Sequence, residues 1–111
     1  MEIAFDAQGN GVVVARPVGR LDLISAAATK TRLSETAAGG HPRIVIDLAG
    51  VSFIDSTGLG ALIGALKAAR QHGGDLRLAR PTDQAKLLLS LTALDRVMKP
   101  YASVDEALAG Y

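Results

Sequence analysis

Apolar positions change their spacing several times along this chain, and each change predicts a different element. Residues 2–6 and 11–18 are short apolar segments joined by Ala7-Gln8-Gly9-Asn10-Gly11. That Gly/Asn cluster supplies positive-φ positions, so the two segments read as a β-hairpin. Val12, Val13, Val14 and Val18 favour strand, and Pro17 predicts a strand edge or end. A helix is expected from Asp22 to about Ala38, with Leu23, Ala26, Ala27, Lys30, Leu33 and Ala37 on one stripe. Gly39-Gly40 stop it, because glycine accepts the left-handed conformation that ends helices.

Residues 43–48 run apolar except for Asp47, the pattern of a buried strand. Leu59, Leu62, Ile63 and Leu66 then repeat at helical spacing, predicting a helix over 56–72. Lys67, Arg70 and Gln71 gather near its end, where cations suit the helix dipole, and Gly73-Gly74 close it. Leu76 and Leu78 alternate with Arg77 and Arg80 as a half-buried strand. After Pro81, Thr82 or Asp83 can cap a helix bearing Leu87, Leu88, Leu91 and Leu94. Val97-Met98 is expected to be a brief last strand, and Ser103 to start a short helix with Ala107 and Leu108. The order ββαβαβαβα needs crossover helices and hence parallel strand pairs. The expected architecture is a single α/β domain over residues 1–111, with a four- to five-stranded mixed sheet and about four helices.

One junction in this order carries candidate chemistry. The apolar stretch Val51-Ser52-Phe53-Ile54 ends in Asp55-Ser56-Thr57-Gly58-Leu59-Gly60, a polar turn at the mouth of a helix. Ser56 is an N-cap by residue type, and helix amides there form an electropositive spot that suits an anion. Asp22 and Asp55 are the acids expected beside it, either to order the hydroxyl or bind a Mg²⁺ brought by a partner, or as turn and cap residues. Gly58 and Gly60 read either as places for close backbone approach by a partner or as relief of crowding. Gly60, Gly64 and Ala68 form a small-residue ridge that could receive a partner helix or a neighbouring element of this chain.

The balance of 12 Lys plus Arg against 11 Asp plus Glu gives no basic field for a phosphate backbone. With two Phe, two Tyr and no Trp, stacking on single-stranded nucleic acid is also poorly supplied. No cysteine is present, which removes disulfide, thiolate and Cys-zinc chemistry. Early acids at Glu2 and Asp6 do not resemble a signal peptide, and no apolar run reaches the roughly 20 residues of a membrane span. A cytoplasmic location without membrane insertion is expected.

Asp55-Ser56-Thr57-Gly58-Leu59-Gly60 after Val51-Ser52-Phe53-Ile54 resembles the signature of STAS domains, the family of bacterial anti-sigma factor antagonists. Gly19-Arg20-Leu21-Asp22 resembles that family's upstream turn, and Gly73-Gly74-Asp75-Leu76 its break before the next strand. The resemblance runs from about residue 3 to 110. It implies a binding module rather than an enzyme, with no cofactor. Ser56 would be phosphorylated by a partner serine kinase that is itself an anti-sigma factor, and a phosphoserine phosphatase would reset the switch. Asp22, Asp55, Thr57, Gly58, Leu59 and Gly60 are the expected partner-binding residues. Arg20 stands where the family often has an acid, and Thr57 where a second serine is frequent.

Three other readings compete. Ser56 could be a hydrolase nucleophile with His41 or His72 as base, although G-x-S-x-G is absent and His72 lies roughly 24 Å along the helix. The turn could hold a nucleotide weakly, but it lacks a Walker lysine. STAS domains also serve transporter and lipid-transport regulation, in which case the membrane component would be a separate polypeptide.

Overall fold

The computed structural model describes residues 1–111, and the chain forms a mixed α/β layer. The hairpin is present as β1 (Glu2–Gly9) and β2 (Val12–Leu21), paired antiparallel. Its turn uses positive φ at Gly9, Asn10 and Gly11, the conformation for which the Gly/Asn cluster is suited. β3 (Arg43–Asp47) and β5 (Asp75–Ala79) extend the sheet in parallel, followed by β6 (Pro100–Tyr101). The order across the sheet is β1-β2-β3-β5-β6.

A sixth strand, β4 (Val51–Ile54), lies off this path and pairs only with the end of β2. β2 therefore changes neighbour along its length. Val12–Ala15 run beside β3, and Gly19–Leu21 run beside β4. Pro17, which lacks a donor, stands in the interval between the two parallel ladders, so it is accommodated in mid-strand.

Helices α1 (Ala26–Ala38), α2 (Ser56–Gln71) and α3 (Asp83–Leu91) supply Leu33, Leu62, Leu66 and Leu89 to one large core. Ile44, Ile46, Leu76 and Leu78 meet them from the sheet. The opposite sheet face buries Val14, Val45 and Ala79 under α4 (Val104–Leu108). Arg77 fixes that cover by donating to the carbonyls of Ala107 and Ala109, while its guanidinium stacks 4.0 Å from the Tyr111 ring. No helix is long and apolar enough to cross a membrane.

Two expected boundaries are corrected. α1 begins at Ala26 instead of Asp22, because the side chains of Asp22 and Ser25 bond to local backbone and hold residues 22–25 in a turn. Its buried stripe is Ala26, Thr29, Leu33 and Ala37, and Leu23, Ala27 and Lys30 are exposed. The last strand is Pro100–Tyr101, not Val97-Met98. The amides of Val97 and Met98 still bond back to the Leu94 carbonyl after the 3-10 turn Leu94–Arg96, so the chain is not yet extended there.

Candidate functional site

Where β4 passes into α2, three segments of chain are tied together. The Asp55 amide donates to the Leu21 carbonyl, which fixes the turn to the end of β2. One Asp55 carboxylate oxygen accepts the Gly58 amide at 2.8 Å, and the other accepts the Leu23 amide at 3.2 Å. Asp55 is thus the N-cap of α2, and Ser56 is its first helical residue. This corrects the assignment of the cap to Ser56: the carboxylate one residue earlier reaches the Gly58 amide. The serine hydroxyl is left free of capping and exposed.

The adjoining β2–α1 loop is cross-bonded over a few residues. Ser25 donates its hydroxyl to the Arg20 carbonyl at 2.7 Å and accepts the Asp22 amide at 3.1 Å. Asp22 accepts the Ile24 amide and pairs with Arg20, whose guanidinium lies 4.5 Å above the Phe53 ring. Desolvation is the largest single influence on the Asp22 carboxyl and raises its pKa. The Arg20 bond and charge and the amides of Ile24 and Ser25 together outweigh it and hold the carboxyl below its usual range. Both site acids are therefore engaged in holding backbone, which answers what Asp22 and Asp55 do locally.

That rigid loop presents two apolar side chains to solvent. Leu23 is 75% exposed and Ile24 92% exposed, and the Leu23 amide is the one that Asp55 holds. Sequence periodicity placed Leu23 on a buried stripe and gave no signal that an apolar pair would be displayed. Such exposure on an ordered backbone costs hydration free energy and is the kind of surface that partners cover.

The remaining sequence-predicted residues separate into two groups. Thr57 and Gly60 are exposed and, with Ala26, Ala27, Lys30 and Ala61, line a shallow groove of about 260 Å³ between α1 and α2. Gly58 and Leu59 are buried, Leu59 at 3% exposure within the core, so they offer no surface to a partner. This corrects their expected role as contacts: helical periodicity turns position 59 inward with Leu62 and Leu66. The Gly60-Gly64-Ala68 ridge is partly used inside the chain, because the aliphatic stem of Lys30 lies over Gly64.

Neither histidine approaches Ser56. His72 is the C-cap of α2, at the helix's other end, with its Nδ1 2.9 Å from the Ala68 carbonyl oxygen. His41 lies beside Phe5 and Gly39 at the far end of α1. A serine–histidine nucleophilic pair cannot form in this arrangement.

Comparison with known proteins bears on the family and the fold. A profile of the STAS domain matches residues 5–107. The chain belongs to the STAS domain family. Two relatives named as anti-sigma factor antagonists, from Thermotoga neapolitana and Thermotoga maritima, are 38% identical over 69 residues, a match that spans 62% of this chain and 61% of their own length. The Mycobacterium tuberculosis anti-sigma-F factor antagonist RsfB is 32% identical over 104 residues, covering 94% of this chain and 84% of RsfB. A Thermotoga maritima crystal structure superposes with a TM-score of 0.87 at 30% identity, over 96% of this chain and 91% of that one. The anti-sigma factor antagonist SpoIIAA in its unphosphorylated form has the same STAS fold, with a TM-score of 0.81 at 22% identity over 96% of this chain and 93% of SpoIIAA.

Proposed function

We propose that this STAS protein is a cytoplasmic anti-sigma factor antagonist that binds a serine-kinase anti-sigma factor and is released by phosphorylation of Ser56. One observation carries the reading. An exposed, uncapped hydroxyl stands at the first position of α2, beside an exposed apolar pair on a rigid loop. The name of RsfB supports the partner class. Leu23 and Ile24, with Thr57 and Gly60, form the partner-facing surface in this reading, and a phosphoserine phosphatase restores it.

The chemistry of the switch follows from position. A phosphoserine carries roughly −1.5 to −2 charges. At a helix N-terminus the unpaired amides and the dipole tolerate that charge, so the fold survives. A partner packed over Leu23 and Ile24 would have to desolvate the new anion, which opposes binding. Release therefore needs no refolding.

The test is intact-mass and peptide mapping after incubation with candidate anti-sigma kinases and ATP, alongside Ser56→Ala. One phosphate is expected, mapped to Ser56 and absent from the variant. Ser56→Ala should bind the kinase as wild type does, and Ser56→Asp about tenfold more weakly. Ile24→Asp should lose about 2 kcal/mol of binding with unchanged thermal stability, because Ile24 touches little of its own chain. Binding without any phosphate would instead mark an unswitched adaptor, as in transporter or lipid-transport regulation. Equal affinity of Ser56→Ala and Ser56→Asp would refute the switch.

A further inference from the structure

β4 has a neighbouring strand on one side only, yet its last residue is fully bonded on the other. The Ile54 amide donates to Gln84 Oε1 at 3.0 Å, and Gln84 Nε2 donates to the Ile54 carbonyl at 2.7 Å. A side-chain amide carries the same donor and acceptor as a peptide group, so Gln84 takes the place of the absent strand. It reaches there from the first turn of α3, whose own N-cap is Thr82. The next residue, Asp55, is held from the opposite edge by the Leu21 carbonyl. Ser56 follows directly, and its own hydroxyl makes no bond that would fix the turn.

We infer that Gln84 is a positioning residue for the Ser56 hydroxyl: its two bonds to Ile54 fix the backbone from which the phosphoryl acceptor projects. The inference rests on Ser56 being that acceptor. Phosphoryl transfer demands in-line placement of the attacking oxygen, and displacement by about 1 Å can cost on the order of a hundredfold in rate. Two bonds to a single residue at the strand end restrict both translation and tilt of the turn. Without them, the Ile54 amide and carbonyl are left seeking water at a partly buried edge. The kinase would then meet the same surface with a less ordered hydroxyl, which lowers turnover more than affinity.

The test compares Gln84→Leu, which keeps size and removes both bonds, with Gln84→Glu, which keeps the acceptor and loses the donor. Leu33→Val, in the α1 core, serves as a control for a general loss of stability. Residue-resolved amide exchange by NMR needs no partner. Exchange should accelerate about tenfold or more at Ile54 in Gln84→Leu, and by less in Gln84→Glu, which keeps that amide's acceptor. The acceleration should be smaller again at Asp55 to Thr57, and absent in Leu33→Val. With the kinase that phosphorylates the wild type, kcat should fall about tenfold while KM stays within about twofold. Unchanged exchange at residues 54–57, or an equal kcat loss in Leu33→Val, would overturn the inference. If the wild type accepts no phosphate at Ser56, that reading falls and takes the positioning role with it. The exchange pattern still reports whether the clamp itself exists.

Discussion

Gly58→Ala is expected to destabilise the protein by about 3 kcal/mol, while Gly60→Ala, two residues on, stabilises it by about 0.5–1 kcal/mol. A Cβ at position 58 would stand 2.1 Å from the Leu21 carbonyl oxygen and 2.8 Å from the Leu21 carbonyl carbon. That obstacle is backbone, and it cannot move aside. The same carbonyl accepts the Asp55 amide, and Leu21 is in register with Ile54 at the end of the β2–β4 ladder. Relief would have to push the first turn of α2 off β2, breaking the Asp55 bonds that shape the site. A Cβ at position 60 meets nothing within 4 Å, so alanine there recovers helix propensity at no steric cost. Urea unfolding of the two variants gives the comparison directly, and a stable Gly58→Ala would show that α2 does not pack on β2 this closely. The two glycines of one motif thus serve different ends: Gly58 admits the helix to the sheet, and Gly60 keeps the groove between α1 and α2 open. Gly60→Ala is also the cleaner probe of partner approach, since any loss of binding there cannot be charged to the fold.

The elements that the sequence made legible are those with long, one-sided patterns. α2 was readable because Leu59, Leu62, Ile63 and Leu66 sit at helical spacing. β3 and β5 were readable because Ile44 to Ile46 and Leu76 to Leu78 are apolar or alternate. β4 does not stand out as a separate strand, although Val51-Ser52-Phe53-Ile54 is an apolar stretch. It has four residues, and the turn from Leu48 to Val51 makes it look like a continuation of β3. Its true neighbour, the end of β2, is a tertiary choice that no local pattern announces. The site motif was legible as a motif, but the cap was displaced by one residue. Asp and Ser are both good N-caps by type, and only geometry shows which one reaches the Gly58 amide. Leu23 reads as the start of a buried stripe because apolar spacing carries no information about which apolar residues remain outside. Gln84 gave no signal at all. Its role depends on α3 lying along the open edge of β4, which is a long-range contact.

Asp47 is expected to be worth about 3 kcal/mol near neutral pH and much less in acid. It interrupts an apolar strand and is only 2% exposed, so its charge must be compensated where it lies. Arg80 supplies two bonds to the carboxylate, the Ala49 amide a third, and Arg16 approaches to 3.6 Å while also reaching Asp6. Burial raises the Asp47 pKa, but the Arg80 bonds, the Ala49 amide and the charges of Arg80 and Arg16 more than reverse this, leaving it below the ordinary 3.8. A carboxyl with a depressed folded-state pKa binds its proton more readily when unfolded. Its stabilisation is therefore complete above 3.8 and is lost as pH falls from there through the folded-state value. Asp47→Asn keeps the shape and an acceptor for Ala49 but removes the charge. The gap between wild type and Asp47→Asn in unfolding free energy should be widest near pH 7 and narrow steadily below about pH 4. A constant gap from pH 7 to pH 3 would show that the carboxylate charge is not the source of this stabilisation. Arg80 adds a second handle, because it holds φ of +52°, a left-handed conformation that costs a non-glycine residue about 1 kcal/mol. Arg80→Ala loses the guanidinium and retains that strain, whereas Arg80→Gly loses the guanidinium and relieves it. Arg80→Gly should accordingly be the more stable of the two by about 1 kcal/mol, with both below wild type at pH 7. The ordering separates the two contributions: the strained backbone at the end of β5 is maintained because it aims Arg80 at the buried carboxylate of β3.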